Sequence, residues 1–199
     1  MKSITVSIFT LMFCYIPLQV SGQNIQFNDR TGYGFWASHA PNSTTQIAKM
    51  ANTSSTYFGL QFDHSTFFVS GREINLLSEI VLLGYVKYPD DGLDGPRDWR
   101  MGIGIVPLRL EFPLSVSNKF LPFLTTSGGI IYFESPFPNL DGTRLNYIID
   151  VGLGWSIKIN NASNFQFGYR IQHLSNGNSG KVNPGIDSHT LFTSIRINR

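Results

Sequence analysis

A strict alternation of side-chain character between residues 147 and 159 most constrains how this 199-residue chain can fold. Successive side chains of a β-strand point to opposite faces of a sheet, so a period of two predicts one long strand with two unlike faces. One face is bulky and apolar and the other mostly small or charged, the first comprising Tyr147, Ile149, Val151, Leu153, Trp155, Ile157 and Ile159, and the second Ile148, Asp150, Gly152, Gly154, Ser156 and Lys158.

About eight strand-like segments follow the N-terminal region, separated by turns rich in Gly, Pro and Asn. They cover approximately residues 33–39, 55–64, 75–88, 98–112, 119–134, 147–159, 165–175 and 187–197. The segment 75–88 is apolar on both faces. A slip in the alternation near Val106–Pro107 predicts a β-bulge, and Gly128–Gly129 predicts a bend. The polar piece between residues 46 and 54 is interpreted as a loop or a helical turn.

The start of the chain predicts export from the cytoplasm. Residues 1–22 have the pattern of a secretory signal peptide, in which Lys2 precedes the apolar run Ile4 to Val20 and small residues follow. Cleavage there would leave residues 23–199 as a single domain. An N-terminal membrane anchor is the alternative, but the run is short for a spanning helix and is interrupted by Pro17.

The composition limits the classes of function. Cys14, the only cysteine, lies in the leader, so the exported domain would contain neither a disulfide nor a thiolate site. The formal charge of +2 falls to +1 without Lys2, which gives no electrostatic reason to expect nucleic acid as a partner. Zinc-binding, P-loop and dinucleotide-binding motifs are absent. Aromatic residues make up 14% of the chain and glycines number 19, as in an outer-membrane β-barrel.

The predicted fold class is therefore all-β, an eight-stranded antiparallel transmembrane β-barrel after a cleaved signal peptide. Eight strands make the smallest membrane barrels, which side chains fill, and closure removes unpaired strand edges. A soluble barrel of the lipocalin type, with apolar side chains inside, is the alternative. In the membrane barrel, the inward-facing charges should pair inside the lumen and the aromatics should form interfacial belts or pack normally. The charges are Arg100, Asp150, Lys158 and Arg170, and the aromatics are Tyr33, Phe35, Trp36, Trp99 and Trp155.

The strongest functional signal is the segment YRIQHLSNGNSGKVNPGID at residues 169–187. Strand parity places His173 and Ser175 on the apolar face, and the next strand begins with Asp187 on its own apolar face. Antiparallel pairing of the two strands would set Asp187 opposite His173. A serine, a histidine and a carboxylate are the groups of a Ser-His-acid hydrolase, and the lipid-facing surface suits a lipid substrate. His189 shares the face of Asp187 and is the alternative base.

This segment resembles the outer-membrane lipid A deacylases of the PagL type, whose eight-stranded barrel carries a His-x-Ser pair on strand seven and an acid at the start of strand eight. The resemblance implies Ser175 as nucleophile, His173 as general base and Asp187 as orienting acid. Asn176 and Asn183 match asparagines near the oxyanion, although asparagine is also an ordinary turn former. The usual acid in that family is glutamate, so the shorter Asp187 must come closer to the imidazole.

By the same resemblance, the protein is expected in the outer membrane of a Gram-negative bacterium. It would be a serine esterase that removes an ester-linked acyl chain, at the 3-O position, from the lipid A of lipopolysaccharide without a metal cofactor. Lipopolysaccharide and outer-membrane lipids would be its partners, and a homodimer is left open. Outer-membrane phospholipase A shares His-x-Ser-Asn-Gly but has twelve strands, an asparagine in place of the acid and calcium in its dimer; it is one alternative. A structural small barrel with a degenerate site is the other.

Overall fold

A computed structural model describes residues 26–69, 71–89, 95–115 and 120–198, and the predicted signal peptide, residues 1–22, lies outside them. The strands of the described ranges are β1 Gln26–Ala40, β2 Ser43–Thr44, β3 Ser54–Val69, β4 Arg72–Pro89, β5 Arg97–Pro113, β6 Phe120–Phe137, β7 Thr143–Lys158, β8 Ser163–Ser175 and β9 Ile186–Asn198. Within these ranges there is no helix whose length and apolar character would let it cross a membrane.

The eight long strands close into an antiparallel barrel. Each of β3 to β9 pairs with its predecessor among the long strands, and β9 pairs back with β1. The short strand β2 continues the β1 side of this last seam by pairing with the start of β9. The predicted fold class and strand number are confirmed. The strands extend beyond the predicted segments because backbone pairing continues where the hydrophobic alternation fades.

A bulge in β4 explains why the segment 75–88 reads as apolar on both faces. Leu83 lies opposite Phe58 and Val81 opposite Gly59, so Leu82 is an extra residue in the β3–β4 register. Leu82 and Leu83 are consecutive, yet both are exposed on the outer surface. A bulge that adds one residue to a strand reverses the alternation beyond it.

The bulge predicted near Val106–Pro107 is also confirmed. Ile105 pairs with Ile130 and Leu108 with Gly128, so the two residues between them on β5 oppose the single Gly129 on β6. The register shift bends β5 at the position where its sequence alternation slips.

The faces of β7 show which side of the barrel meets lipid. Tyr147, Ile149 and Val151 are exposed, whereas Ile148 and Asp150 are buried in the interior. Large apolar side chains cover the outer surface of the other strands as well, as an outward-facing apolar band requires. The soluble-barrel alternative, with its apolar face inside, is therefore wrong.

Aromatic side chains gather toward both ends of the barrel. Trp155 stacks between Phe120 and Phe167, with ring centroids 6.4 and 5.7 Å away, near the end of the barrel where β7 ends and β8 begins. At the other end Trp99 stacks on Tyr85. These positions fit the interfacial belts of membrane barrels. Trp36 does not belong to a belt, because its side chain is buried inside the barrel and its Nε1 donates to the Leu60 carbonyl.

The lumen is filled in two layers. An apolar cluster occupies the end under the site loops, and it comprises Trp36, Met50, Tyr57, Val81, Val86, Tyr88, Val106, Ile131, Phe133, Phe137, Ile148, Leu174 and Ile186. A network of ion pairs fills the other part, and among the described residues it comprises Arg109, Arg170, Arg196, Asp63, Glu79, Glu111 and Asp150. The interior is thus closed by side chains, as expected of a barrel of this size.

The predicted inward charges are only partly right. Arg170 and Asp150 are buried and lie 3.6 Å apart, as expected. Lys158 is exposed at the last position of β7, beyond the closed part of the lumen. Arg100 instead pairs with Asp98 near the start of β5 and donates to the Pro136 carbonyl. Parity gives the face of a residue but not its depth in the barrel. Lys158 and Arg100 lie too close to strand ends to join the ion pairs inside the lumen.

Candidate active site

His173 and Asp187 face each other across the β8–β9 seam. They are direct partners in the antiparallel register, and Nδ1 of His173 lies 2.7 Å from Oδ1 of Asp187. The juxtaposition expected from strand parity is therefore observed. Direct opposition also explains how a side chain as short as aspartate reaches the ring, since opposed residues bring their Cβ atoms to about 5 Å. The histidine side chain is 29% exposed, but that of the aspartate only 3%.

Ser175 occupies the next outward position on β8. It is half-buried and lies opposite Tyr147 of β7. Alternate residues of a strand are about 6–7 Å apart, so Ser175 and His173 are neighbours on one face. Among the described residues the structure shows no hydrogen bond between the two side chains. Because Nδ1 of His173 is occupied by Asp187, Nε2 is the ring nitrogen left to accept the Ser175 proton.

Three inward-pointing side chains fix the backbone of this seam from behind. Ile148, Leu174 and Ile186 are successive partners across β7, β8 and β9, and all three are buried in the apolar cluster. Leu174 separates His173 from Ser175 in sequence and points to the opposite face. Packing of this apolar row holds the strand segment that carries the polar pair, so rigid strands position the backbone of the histidine.

The second oxygen of Asp187 is held by the loop between β2 and β3. Its Oδ2 accepts hydrogen bonds from the backbone N–H groups of Ile47, at 2.5 Å, and Ala48, at 2.7 Å. The loop covers the carboxylate, which explains why Asp187 is buried although it lies on the outer face. The segment predicted as a loop or a helical turn is therefore a loop. Its role at the acid had no sequence signal, because any residue type except proline supplies a backbone N–H.

Gly185 leaves room for the imidazole. It has φ of 65°, in the left-handed region that favours glycine. A Cβ at this position would lie 3.2 Å from Cε1 of His173 and 3.3 Å from Cβ of Ala48. The residue before β9 thus lies between the histidine ring and the loop that binds Asp187, where a side chain would crowd both.

The two asparagines of the motif brace the loop between β8 and β9. Oδ1 of Asn183 accepts from the Asn176 backbone N–H at 3.0 Å, and Nδ2 of Asn176 donates to the Val182 carbonyl at 2.8 Å. Nδ2 of Asn183 donates in turn to Oδ1 of Asn178. Each side-chain amide nitrogen carries two hydrogens and uses one of them in these contacts. The structure therefore shows a bracing role, which leaves one N–H of each for another acceptor.

His189, the alternative base, has other partners. Its Nδ1 contacts the hydroxyl of Tyr169, and its Nε2 lies 3.3 Å from Oγ1 of Thr44. Asp187 directs its two oxygens to His173 and to the loop amides instead. The structure thus separates the two histidines that share this face.

The arrangement can perform nucleophilic acyl transfer. It offers a hydroxyl, an imidazole with one nitrogen open and a carboxylate that orients the other nitrogen. Within the described part of the chain, no cluster of three or more His, Cys, Asp or Glu side chains could hold a metal ion. The chemistry these residues supply is proton transfer and covalent attack.

A family model for lipid A 3-O-deacylase (PagL) matches residues 56–196. A search of curated proteins gives no significant match. Among solved structures, the outer membrane enzyme PagL is 18% identical with a TM-score of 0.59, covering 81% of this chain and 97% of its own. Neisserial surface protein A is 11% identical with a TM-score of 0.48, covering 88% of this chain and 99% of its own. The likeness to PagL shows the same barrel fold.

Proposed function

This chain belongs to the lipid A 3-O-deacylase (PagL) family, and we propose that it hydrolyses the 3-O-acyl ester of lipid A through a Ser-His-Asp triad in the outer membrane. The observation that carries the proposal is the hydrogen-bonded His173–Asp187 pair on the outward face of the barrel, with Ser175 beside it. The family match supports the substrate, and the pair supports the mechanism.

In the first half of the reaction, Oγ of Ser175 attacks the ester carbonyl carbon while Nε2 of His173 takes the hydroxyl proton. The Asp187 carboxylate stabilises the imidazolium that forms and keeps its Nδ1–H directed toward Oδ1. The tetrahedral intermediate collapses with cleavage of the bond to the sugar oxygen, which receives the proton from His173. The deacylated lipid A leaves, and the acyl group remains on Ser175.

In the second half, water replaces the sugar hydroxyl. His173 accepts a proton from the water as its oxygen attacks the acyl carbon, and a second tetrahedral intermediate forms. Its collapse breaks the bond to Oγ of Ser175, which receives the proton back from His173, and a fatty acid is released. The negative oxygen of both intermediates requires N–H donors. Asn176 and Asn183 are the candidates, and Asn176 would have to become more accessible on substrate binding, because it is only 1% exposed although its Nδ2 keeps one hydrogen after donating to Val182. Asn183 braces the same loop and keeps one hydrogen as well.

The position of the triad suits a bilayer lipid. The lumen is filled by an apolar cluster and by ion pairs, so an acyl chain has no route through it. Exposed apolar residues surround the triad on the outer surface, among them Tyr147, Ile149, Ile171 and Leu191. A lipid in the surrounding leaflet can therefore present its ester to Ser175 without leaving the membrane. The phospholipase alternative loses support, because this barrel has eight long strands rather than twelve.

The proposal is tested by mass spectrometry of lipid A from Gram-negative cells that express the wild-type chain or Ser175→Ala. We expect loss of one hydroxyacyl chain with the wild type only. Both proteins must be shown to fold in the outer membrane, for example by heat-modifiable migration on gels. Unchanged lipid A with new lysophospholipid would favour the phospholipase reaction. No change in either lipid pool, with a folded barrel, would leave a structural barrel as the better interpretation.

A further inference from the structure

The loop of residues 43–53, hereafter the acid loop, is tied at several points along its length to β9 and to the residues just before it. Ser43 and Thr44 form the short strand β2 and pair with Ser188 and Asp187. Further along, the Lys49 N–H donates to the Pro184 carbonyl at 2.6 Å.

Near its end the acid loop forms a parallel bridge between Met50 and Ile186. It is also braced internally, because Oγ of Ser43 donates to the Met50 carbonyl and accepts from the Thr53 N–H. A segment held at both ends and through its middle can present fixed donors to a neighbouring residue.

We propose that the acid loop is a positioning element of the active site, in which the N–H groups of Ile47 and Ala48 fix the rotamer of Asp187 and thereby the orientation of His173. This inference rests on the proposed function for its effect on turnover. It assigns this role to backbone groups that lie outside the triad and more than one hundred residues from the motif in sequence.

The physical reason is the freedom of an aspartate side chain. The terminal torsion of a carboxylate has a broad profile, so one hydrogen bond to the histidine would leave the group free to rotate. Two N–H groups at 2.5 and 2.7 Å on Oδ2 set the plane of the carboxylate and leave Oδ1 directed at the ring. Hydrogen bonds from N–H groups to an ionised carboxylate are shorter and stronger than neutral ones, so this pair is effective as a clamp.

The burial of the carboxylate also supports a positioning role for the acid loop. The acid loop covers Asp187 so that its side chain is 3% exposed. Without the two loop amides, a buried ionised oxygen would lack partners, which is unfavourable. The loop thus excludes water from the acid and also replaces the hydrogen bonds that water would make.

A substitution at Ile47 tests the backbone contact directly. The Ile47 side chain is 59% exposed, so changing it should disturb packing little. Ile47→Pro removes the N–H that binds Asp187, whereas the matched control Ile47→Ala keeps it. We expect a fall in kcat of about tenfold for Ile47→Pro, with KM and the folded fraction little changed, and near wild-type turnover for Ile47→Ala.

A double-mutant cycle distinguishes positioning from general damage. If the amide acts through Asp187, then Ile47→Pro should cost less than about twofold in residual activity in an Asp187→Ala background. A loop that is merely part of the fold would impose the same tenfold loss in both backgrounds, and that result would overturn the proposal.

A measurement without substrate keeps the test independent of the proposed function. The Nδ1 proton of His173, held between the ring and Asp187, should give a low-field NMR signal in the detergent-solubilised wild type and in Ile47→Ala. We expect this signal to shift upfield or broaden in Ile47→Pro. An unchanged signal would overturn the inference even if lipid A is deacylated. Loss of the signal in Ile47→Pro, together with a wild type that leaves lipid A intact, would support the inference and count against the proposed function.

Discussion

The lumen and the outer face of this barrel each contain paired charges, but only the outer pair has a member that is open to its surroundings. In the lumen, Arg170 lies 3.6 Å from Asp150 and 3.7 Å from Glu79, and all three side chains are almost fully buried. On the outer face, Asp187 is as deeply buried, but its partner His173 is partly exposed, and one ring nitrogen is not used by the acid.

This difference separates a structural network from a reactive one. The lumen charges pair with each other inside a filled interior, so they can contribute to stability and specificity of the fold but cannot meet a substrate. The outer pair has its acid fixed from two sides and its base open toward lipid. General base catalysis requires a base that is held in place through one atom and free to accept a proton at another.

Replacing one carboxylate in the lumen and one on the outer face tests this difference most sharply, and replacement of the outer one should have the larger effect on turnover. Asp187→Asn offers Nδ1 of His173 an amide in place of a carboxylate, which favours the wrong tautomer and removes the charge that stabilises the imidazolium. We expect kcat to fall about 10⁴-fold with the barrel still folded. The check is lipid A hydrolysis by purified protein, with heat-modifiable migration as the folding control. Wild-type turnover would exclude Asp187 as the orienting acid.

The same exchange in the lumen should act on stability instead. Asp150→Asn removes an ion pair with Arg170, although Oγ of Ser127 can still donate to the side-chain oxygen. Breaking a buried pair typically costs about 3 kcal/mol, and Glu79 limits the loss here because it remains beside Arg170. Urea unfolding in lipid vesicles measures the loss, while turnover per folded molecule should stay within about twofold of wild type. A large fall in turnover would show that the two faces are coupled.

Two glycines with positive φ test a smaller effect, because one lies beside the His173 ring and the other lies away from the site. Gly185 and Gly71 have φ of 65° and 75°, so alanine at either should cost about 1 kcal/mol of stability. A Cβ at Gly71 meets no atom within 4 Å, whereas one at Gly185 approaches the His173 ring. We expect Gly185→Ala to lower kcat about tenfold and Gly71→Ala to leave it unchanged. Equal kcat values for the two variants would show that the ring tolerates the displacement.

The sequence predicted the features that depend on the alternation of side chains along a strand. The alternation on β7 gave the fold class, and parity placed His173 and Asp187 on facing positions, which the register confirms. It failed where depth matters, as for Arg100 and Lys158, because parity gives the face of a residue but not its distance from the end of the barrel. The amides of Ile47 and Ala48 lie 140 and 139 residues from Asp187 and carry no residue-type signal. They could be found only from the folded chain.

The smallest effect should come from the second histidine of the outer face. His189→Gln retains a hydrogen-bonding side chain beside Tyr169 and Thr44, and the acid loop keeps its strand pairing with β9 and the Lys49 contact to Pro184. We therefore expect turnover within about threefold of wild type, less than 1 kcal/mol in activation free energy. His173→Gln is the matched control and should abolish measurable turnover, because glutamine cannot accept and return the serine proton. If the two variants were equally damaged, His189 would have to share the base function, and the contrast between the two histidines would fail.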